Sequence, residues 1–385
     1  MIPDPRTFAD VASAPASARA LYALAEASLE AATGQRSDAL ARELRAAMAA
    51  RLEDDGAVLA AVISGAPSVA VARHLWRALD AAWRDGAVSG DTGLAVTVFA
   101  LPLVIVTGLE TTGDDGALPG ILEHPAKLAA ILGEFGALKG NRTLALADVL
   151  VAADAIDIAR LPSIHAWRRL PDALAPGSAL PPRTLLPTPL AFHAAREAVH
   201  LRFLVGTAIA KPGADLLADV DVGQWGVPFT QELIRQVGRG PVSVLALPRA
   251  PRRLLPAVSD GRAAQREVSA QIFASNAIRK FRGTVGEPTA VISAHRASDA
   301  PGGGELRLSL SSPFEPRAAE GFRCPLYAQD RVGDVASMLV DLLRDCRVTD
   351  IRALAGVHAD RTAETGLPLL FKPDTMPDSA GVTLH

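Results

Sequence analysis

The spacing of apolar positions divides the chain into two regimes. Up to about residue 160 the period is helical. Leu21, Leu24 and Leu29 fall on one face of a helix from Ser17 to Ala32, which Gly34 ends. Ser37 caps a second helix, with Leu40, Leu44, Met48 and Leu52 stepping every four residues to Gly56. Ser68 opens a third, striped by Val71, Leu75, Leu79 and Trp83. Pro125 opens a fourth, with Leu128, Ile131, Leu132, Phe135 and Leu138 on its apolar face. A fifth is predicted from Thr143 to about Arg160. Beyond residue 190 the period falls to two. Val199, Leu201, Phe203 and Val205 alternate with polar or small residues, the signature of a strand. A short helix near Thr230–Gln236 precedes a regular series. The series comprises strand Val242–Leu247, helix Asp260–Arg282, strands Thr289–Arg296 and Glu305–Ser312, helix Val332–Asp345 and strand Ile351–His358.

Between the regimes lie Pro171, Pro176, Pro181, Pro182, Pro187 and Pro189. Such a run marks a domain joint. The expected architecture is therefore α+β. An all-α helical domain (1–170) is followed by a proline-rich linker (171–189), an α+β sandwich domain (190–360) and a C-terminal tail (361–385). The strand–helix–strand–strand–helix–strand order of the sandwich is the ferredoxin-like βαββαβ arrangement. Its sheet is expected to be half exposed, apolar on one face and polar on the other.

The segment Gly93–Leu109 is uncharged for 17 residues, at the lower limit for a membrane-spanning helix. Pro102 at its centre, its β-branched residues and the lack of flanking Lys or Arg favour a core segment, read as two short buried pieces broken at Pro102. No stable membrane insertion is expected. The N-terminus has no basic region followed by an apolar stretch, so a cytoplasmic location is expected. Cys324 and Cys346 match no metal or redox spacing and are read as reduced thiols.

Charge is distributed unevenly. Residues 1–125 hold 9 Arg and no Lys against 16 acids, a net of −7; residues 239–323 hold 13 Arg plus Lys against 7 acids, a net of +6. The two signs suit docking of one part on another, or on a partner. The formal net charge of −3 points to no polyanion.

The polar positions of the predicted sandwich sheet supply the one candidate site. Ser293, His295, Arg307, Ser309, Arg352 and His358 alternate with apolar residues and fall on one side, with His295 across from Arg307 if the hairpin is tight. Cations and hydroxyls on a shared face can bind a carboxylate or phosphate, and a histidine there can move a proton. RNA stacking needs aromatics on the central strands, and Gly304–Ser311 has none. His193, Glu197 and His200 share a face only if that stretch is helical, whereas Val199 onward reads as strand, so no metal is expected. Phosphate-loop, dinucleotide, nucleophile-elbow and zinc-protease motifs are absent from the sequence, and no cofactor is expected. Two readings of function follow. One is a non-enzymatic accessory, assembly or regulatory protein with a protein partner or a second copy of itself. The other is an enzyme or sensor that binds a small anionic ligand on the polar sheet face.

Overall fold

The computed structural model describes residues 2–8, 11–54, 56–85, 95–107, 117–118, 121–134, 144–153, 192–193, 199–210, 222–237, 242–245, 253–312, 319–358 and 381–383. The fold is α+β. The chain forms two compact units, neither continuous in sequence. One comprises Met1–Leu40, Val62–Trp76 and Ser269–His385; the other comprises Ala41–Ala61 and Arg77–Val268. The proline-rich segment 171–189 lies outside the described residues.

Four helices open the chain: α1 (Ala16–Leu29), α2 (Gly34–Asp54), α3 (Gly56–Ser64) and α4 (Val69–Asp85). α2 buries Leu44, Met48 and Leu52 of its predicted stripe, whereas α1 buries Leu21, Tyr22, Ala25 and Ser28 and leaves the expected Leu29 exposed. Ser28 Oγ donates to Ser37 O at 3.3 Å and Ser37 Oγ to Ser28 O at 3.0 Å, so the two hydroxyls tie the end of α1 to the start of α2. Ser68 Oγ accepts the Val71 N–H at 3.2 Å, capping α4.

The helical stretch is not followed by further helix alone. Residues Ala95–Thr107 form one strand, β1, and Leu144–Ala152 form another, β3, where the spacing predicted a helix. An all-α first 170 residues is thereby corrected. β1 pairs with β5 (Val199–Ala210) from Ala95↔Ala210 to Val106↔Val199. It pairs on its other side with β6 (Val242–Leu245). The antiparallel sheet has the order β3-β5-β1-β6. Phe99 to Ile105 are all buried, so β1 lacks the alternation of a one-sided strand. Pro102 does not break it. Pro102 pairs with Phe203 of β5 within the continuous register of the two strands. Helices α5 (Pro125–Glu134) and α6 (Val222–Val237) contribute Leu128, Leu132, Trp225, Phe229, Leu233 and Val237 to this sheet's core. The two are linked by Gln236, whose side chain accepts the His124 N–H at 3.0 Å and donates to His124 O at 3.1 Å.

The second sheet has the order β11-β10-β7-β8-β9, from β7 (Thr289–Arg296), β8 (Gly304–Ser311), β9 (Ala319–Pro325), β10 (Asp350–His358) and β11 (Gly381–Thr383). β7 and β10 are parallel, and the other pairs are antiparallel. Its apolar face (Ala290, Ile292, Ala294, Leu306, Leu308, Leu310) packs on Ala270, Ala274, Ile278 and Phe281 of α7 (Leu254–Thr284) and on Val335, Leu339 and Leu343 of α8 (Val332–Asp345). Burying each of the Leu, Ile, Val and Phe side chains among these contributes about 1.5–3 kcal/mol. The ferredoxin-like order does not describe this sheet. β6, which would be its first strand, pairs with β1 in the other sheet, and β9 adds an edge strand. Gly381–Thr383 of the expected tail form β11, paired with Arg352–Leu354.

Candidate functional site

The polar positions of β7, β8 and β10 do share one face. Ser293 stands opposite Arg307 and His295 opposite Glu305. The hairpin register therefore differs by two residues from the His295–Arg307 pairing expected. Between Ala353 and Val357, β10 bulges: Ala353 pairs with Ile292 and Val357 with Ala294, so three residues of β10 face Ser293 alone. Gly356, at φ +86°, makes the bend. The excess of two residues keeps the parity of the strand, and His358 remains beside His295 on the polar face.

This face is closed. Ser293 and Ser309 are 0% exposed, Arg307 1% and His295 2%. Every residue of β8 is buried, and every residue of β7 except Arg296. The expected half-exposed sheet is thus corrected: both faces of its central strands lie inside the protein. A buried charge needs a counter-charge within hydrogen-bond reach, and the layer supplies it. Glu305 accepts the Arg307 Nε–H at 2.6 Å on one oxygen and the Arg323 Nε–H at 2.7 Å on the other. Arg323 then grips Asp299 with both terminal nitrogens, at 2.9 and 2.7 Å. The two carboxylates and two guanidiniums form a chain of alternating charge. Arg323 holds the Asp299 carboxyl below the ordinary carboxylate range, and Asp299 pushes the Arg323 guanidinium up in return.

Beside this chain, Ser293 Oγ and His295 Nε2 are 2.8 Å apart, and the His295 and His358 rings lie 5.4 Å apart at 42°. With Nε2 unprotonated, Ser293 donates to it, the pairing through which an imidazole accepts a hydroxyl proton. Arg352 stands apart from that group. It grips Asp350 through Nε at 2.9 Å and a terminal nitrogen at 2.8 Å, and Thr289 Oγ1 donates to the same carboxylate at 2.9 Å. The structure thus joins Ser293, His295 and His358, sets Arg307 next to them in register, and engages Arg352 locally.

The residues the sequence reading did not nominate are the acids Glu305, Asp299 and Asp350. Glu305 was visible as the same-face neighbour two positions before Arg307. Asp299 and Asp350 are brought in by a loop and a strand end, which alternation does not reach. His193 lies in strand β4 (Phe192–His193) and His200 in β5, so no helix face unites them, and Glu197 lies outside the described residues. Among the described residues, no group of three or more His, Cys, Asp or Glu is arranged to hold a metal, and no helix is long and apolar enough to cross a membrane. Comparison with protein-family models, with curated proteins and with solved structures returns no match to this chain.

Proposed function

We propose that the chain is a non-enzymatic accessory, assembly or regulatory protein that works through protein–protein contacts. The carrying observation is the buried polar face whose arginines are already engaged by acids. Arg307, Arg323 and Arg352, the cations that would recruit a small anion, are bound by Glu305, Asp299 and Asp350 of the same unit. Admitting another carboxylate or phosphate at Arg307 would break its buried pair with Glu305, while the partly exposed Arg323 and Arg352 are already held by Asp299 and Asp350. The layer then serves to hold the sheet, and recognition falls to surfaces elsewhere, where the acidic and basic segments of the chain offer complementary charge. The test is light scattering of the purified full chain over a concentration series, together with tagged purification from the source cells. An oligomer or a stoichiometric partner is expected. A monomer with no reproducible partner refutes the proposal.

One observation favours a second reading, an enzyme or sensor for a small anionic molecule: the Ser293–His295 contact at 2.8 Å with a second imidazole beside it. At 2% exposure or less for Ser293 and His295, the ligand would have to be enclosed. Thermal shifts with phosphate and a panel of carboxylates, compared between wild type and His295→Ala, decide it. A shift of the wild type that the variant lacks supports this reading; identical behaviour of the two removes it.

A further inference from the structure

The polar anchor of the N-terminal segment 2–8 is Arg6, which is 7% exposed. A guanidinium has five N–H donors, and all five are used. Nε donates to Asp4 Oδ1 at 2.9 Å. One terminal nitrogen donates to Asp4 Oδ2 at 2.6 Å and to Asp330 O at 2.8 Å. The other donates to Tyr327 O at 2.6 Å and to Ala328 O at 3.2 Å. The receiving turn is itself pinned, because the Tyr327 N–H donates to Asp330 Oδ2 at 2.9 Å and the Leu326 N–H to Gly304 O at 3.0 Å. Gly304 supplies the floor. A Cβ there would come within 2.9 Å of Pro5 Cγ and 3.0 Å of Arg6 Cγ. Ile2 packs at the edge of the second sheet's core.

Three converging carbonyls form a receptor for a planar cation, and this one is complete without any chain connection to its guest. Its partners lie 321 to 324 residues away in sequence. An identical segment arriving from another molecule would make the same bonds. The cis and trans forms differ only in the linker and in effective concentration, the condition under which terminal arms exchange between copies.

We infer that residues 326–330, floored by Gly304, are a guanidinium socket for an arginine-bearing arm, filled in cis by Arg6 and in trans by the arm of a second copy. The inference rests on the protein-contact reading above and specifies its partner.

The probe is the heptapeptide Ile-Pro-Asp-Pro-Arg-Thr-Phe, residues 2–8 of the chain. The full-length Arg6→Ala chain should bind it saturably by calorimetry and regain thermal stability; the same peptide with Ala at the arginine position should do neither. Wild type should bind the labelled peptide at least about tenfold more weakly, because its own arm competes. If Arg6→Ala does not fold, that competition in wild type becomes the primary measurement. Mixing Arg6→Ala, which keeps the socket, with Gly304→Val, which keeps the arm, should give a one-to-one heterodimer by native mass spectrometry. A folded Arg6→Ala chain that ignores the peptide overturns the socket itself, and the light-scattering series then judges the proposed function on its own. Peptide binding without any heterodimer overturns the second copy as the guest. Binding of the alanine peptide with equal strength shows that apolar contact alone seats the arm, and overturns guanidinium recognition.

Discussion

Glu305→Gln is the substitution that most directly tests the closed polar layer. It preserves the shape of the side chain and removes its charge. Glu305 and Arg307 have side-chain exposures of 1% and 2%. Their pair is therefore out of water, and the substitution takes the Glu305 counter-charge away from Arg307. That costs about 3–5 kcal/mol. The second contact adds little, because Arg323 is 38% exposed and retains Asp299. With a urea dependence of about 2 kcal/mol per molar, a loss of about 3 kcal/mol moves the unfolding midpoint down by about 1.5 M. The chain has two compact units and two-state behaviour cannot be assumed, so the assay pairs circular dichroism with hydrogen exchange on peptides from β7 and β8. Exchange there should accelerate by about two orders of magnitude, since each 1.4 kcal/mol is tenfold. The double variant Glu305→Leu, Arg307→Met should recover most of the loss, because a well-packed apolar pair replaces both buried charges together. A cost below about 1 kcal/mol for Glu305→Gln is the value of a hydrated surface pair, and would refute the reasoning.

Gly206→Ala should destabilise by roughly 1–3 kcal/mol in thermal unfolding, because the added Cβ would lie 2.6 Å from Phe99 Cζ and 2.7 Å from both the Ala145 carbonyl and Leu146 Cδ2. Arg347→Gly should stabilise by about 0.5–1 kcal/mol, since Arg347 is exposed and sits at φ 60° just past α8; a lower melting temperature would show that its side chain matters more than its backbone. The Arg352 guanidinium holds the Asp350 carboxyl below its ordinary value, with burial opposing and the Thr289 hydroxyl adding to the depression. Because the folded value is the lower one, this contribution is fully present above the unfolded carboxylate value of about 4 and is lost as pH falls through the folded value. Asp350→Asn should therefore cost up to about 1 kcal/mol at pH 7, and its deficit should fade on acidification; a deficit that persists unchanged at low pH would assign the effect to packing.

How much the sequence disclosed depended on whether an element alternates apolar with polar positions. Val71, Leu75 and Leu79 of α4 and Val335 and Leu339 of α8 are buried as their spacing predicts, and β7, though buried on both faces, has its predicted span because its apolar residues alternate with Ser293 and His295. β1 is buried on both faces, so its residues carry no period, and the pairing with β5 runs through Pro102 where a break was expected. β3 was taken for helix because Leu144, Leu146, Leu150 and Val151 fit either period, and its register slips between Leu146 and Leu150. α6 was expected only from Thr230, since Pro228 inside it resembles a stop. For the candidate site, alternation correctly gathered Ser293, His295 and His358 on one face. It gave no sign that the face was closed, since burial of that face depends on contacts between distant residues. The partner of β6 is likewise a matter of tertiary pairing, which local order does not encode.

The bulge in β10 has a consequence for length variants of this protein. Removing Ala355 and Gly356 together would restore regular pairing, set Leu354 opposite Ser293 and leave Val357 and His358 with their present neighbours. Removing one residue would turn His358 to the opposite side of the sheet. Natural or engineered versions that keep the two imidazoles adjacent should therefore differ here by even numbers of residues. An odd insertion or deletion at this point would mark a protein in which the histidine pair has been given up.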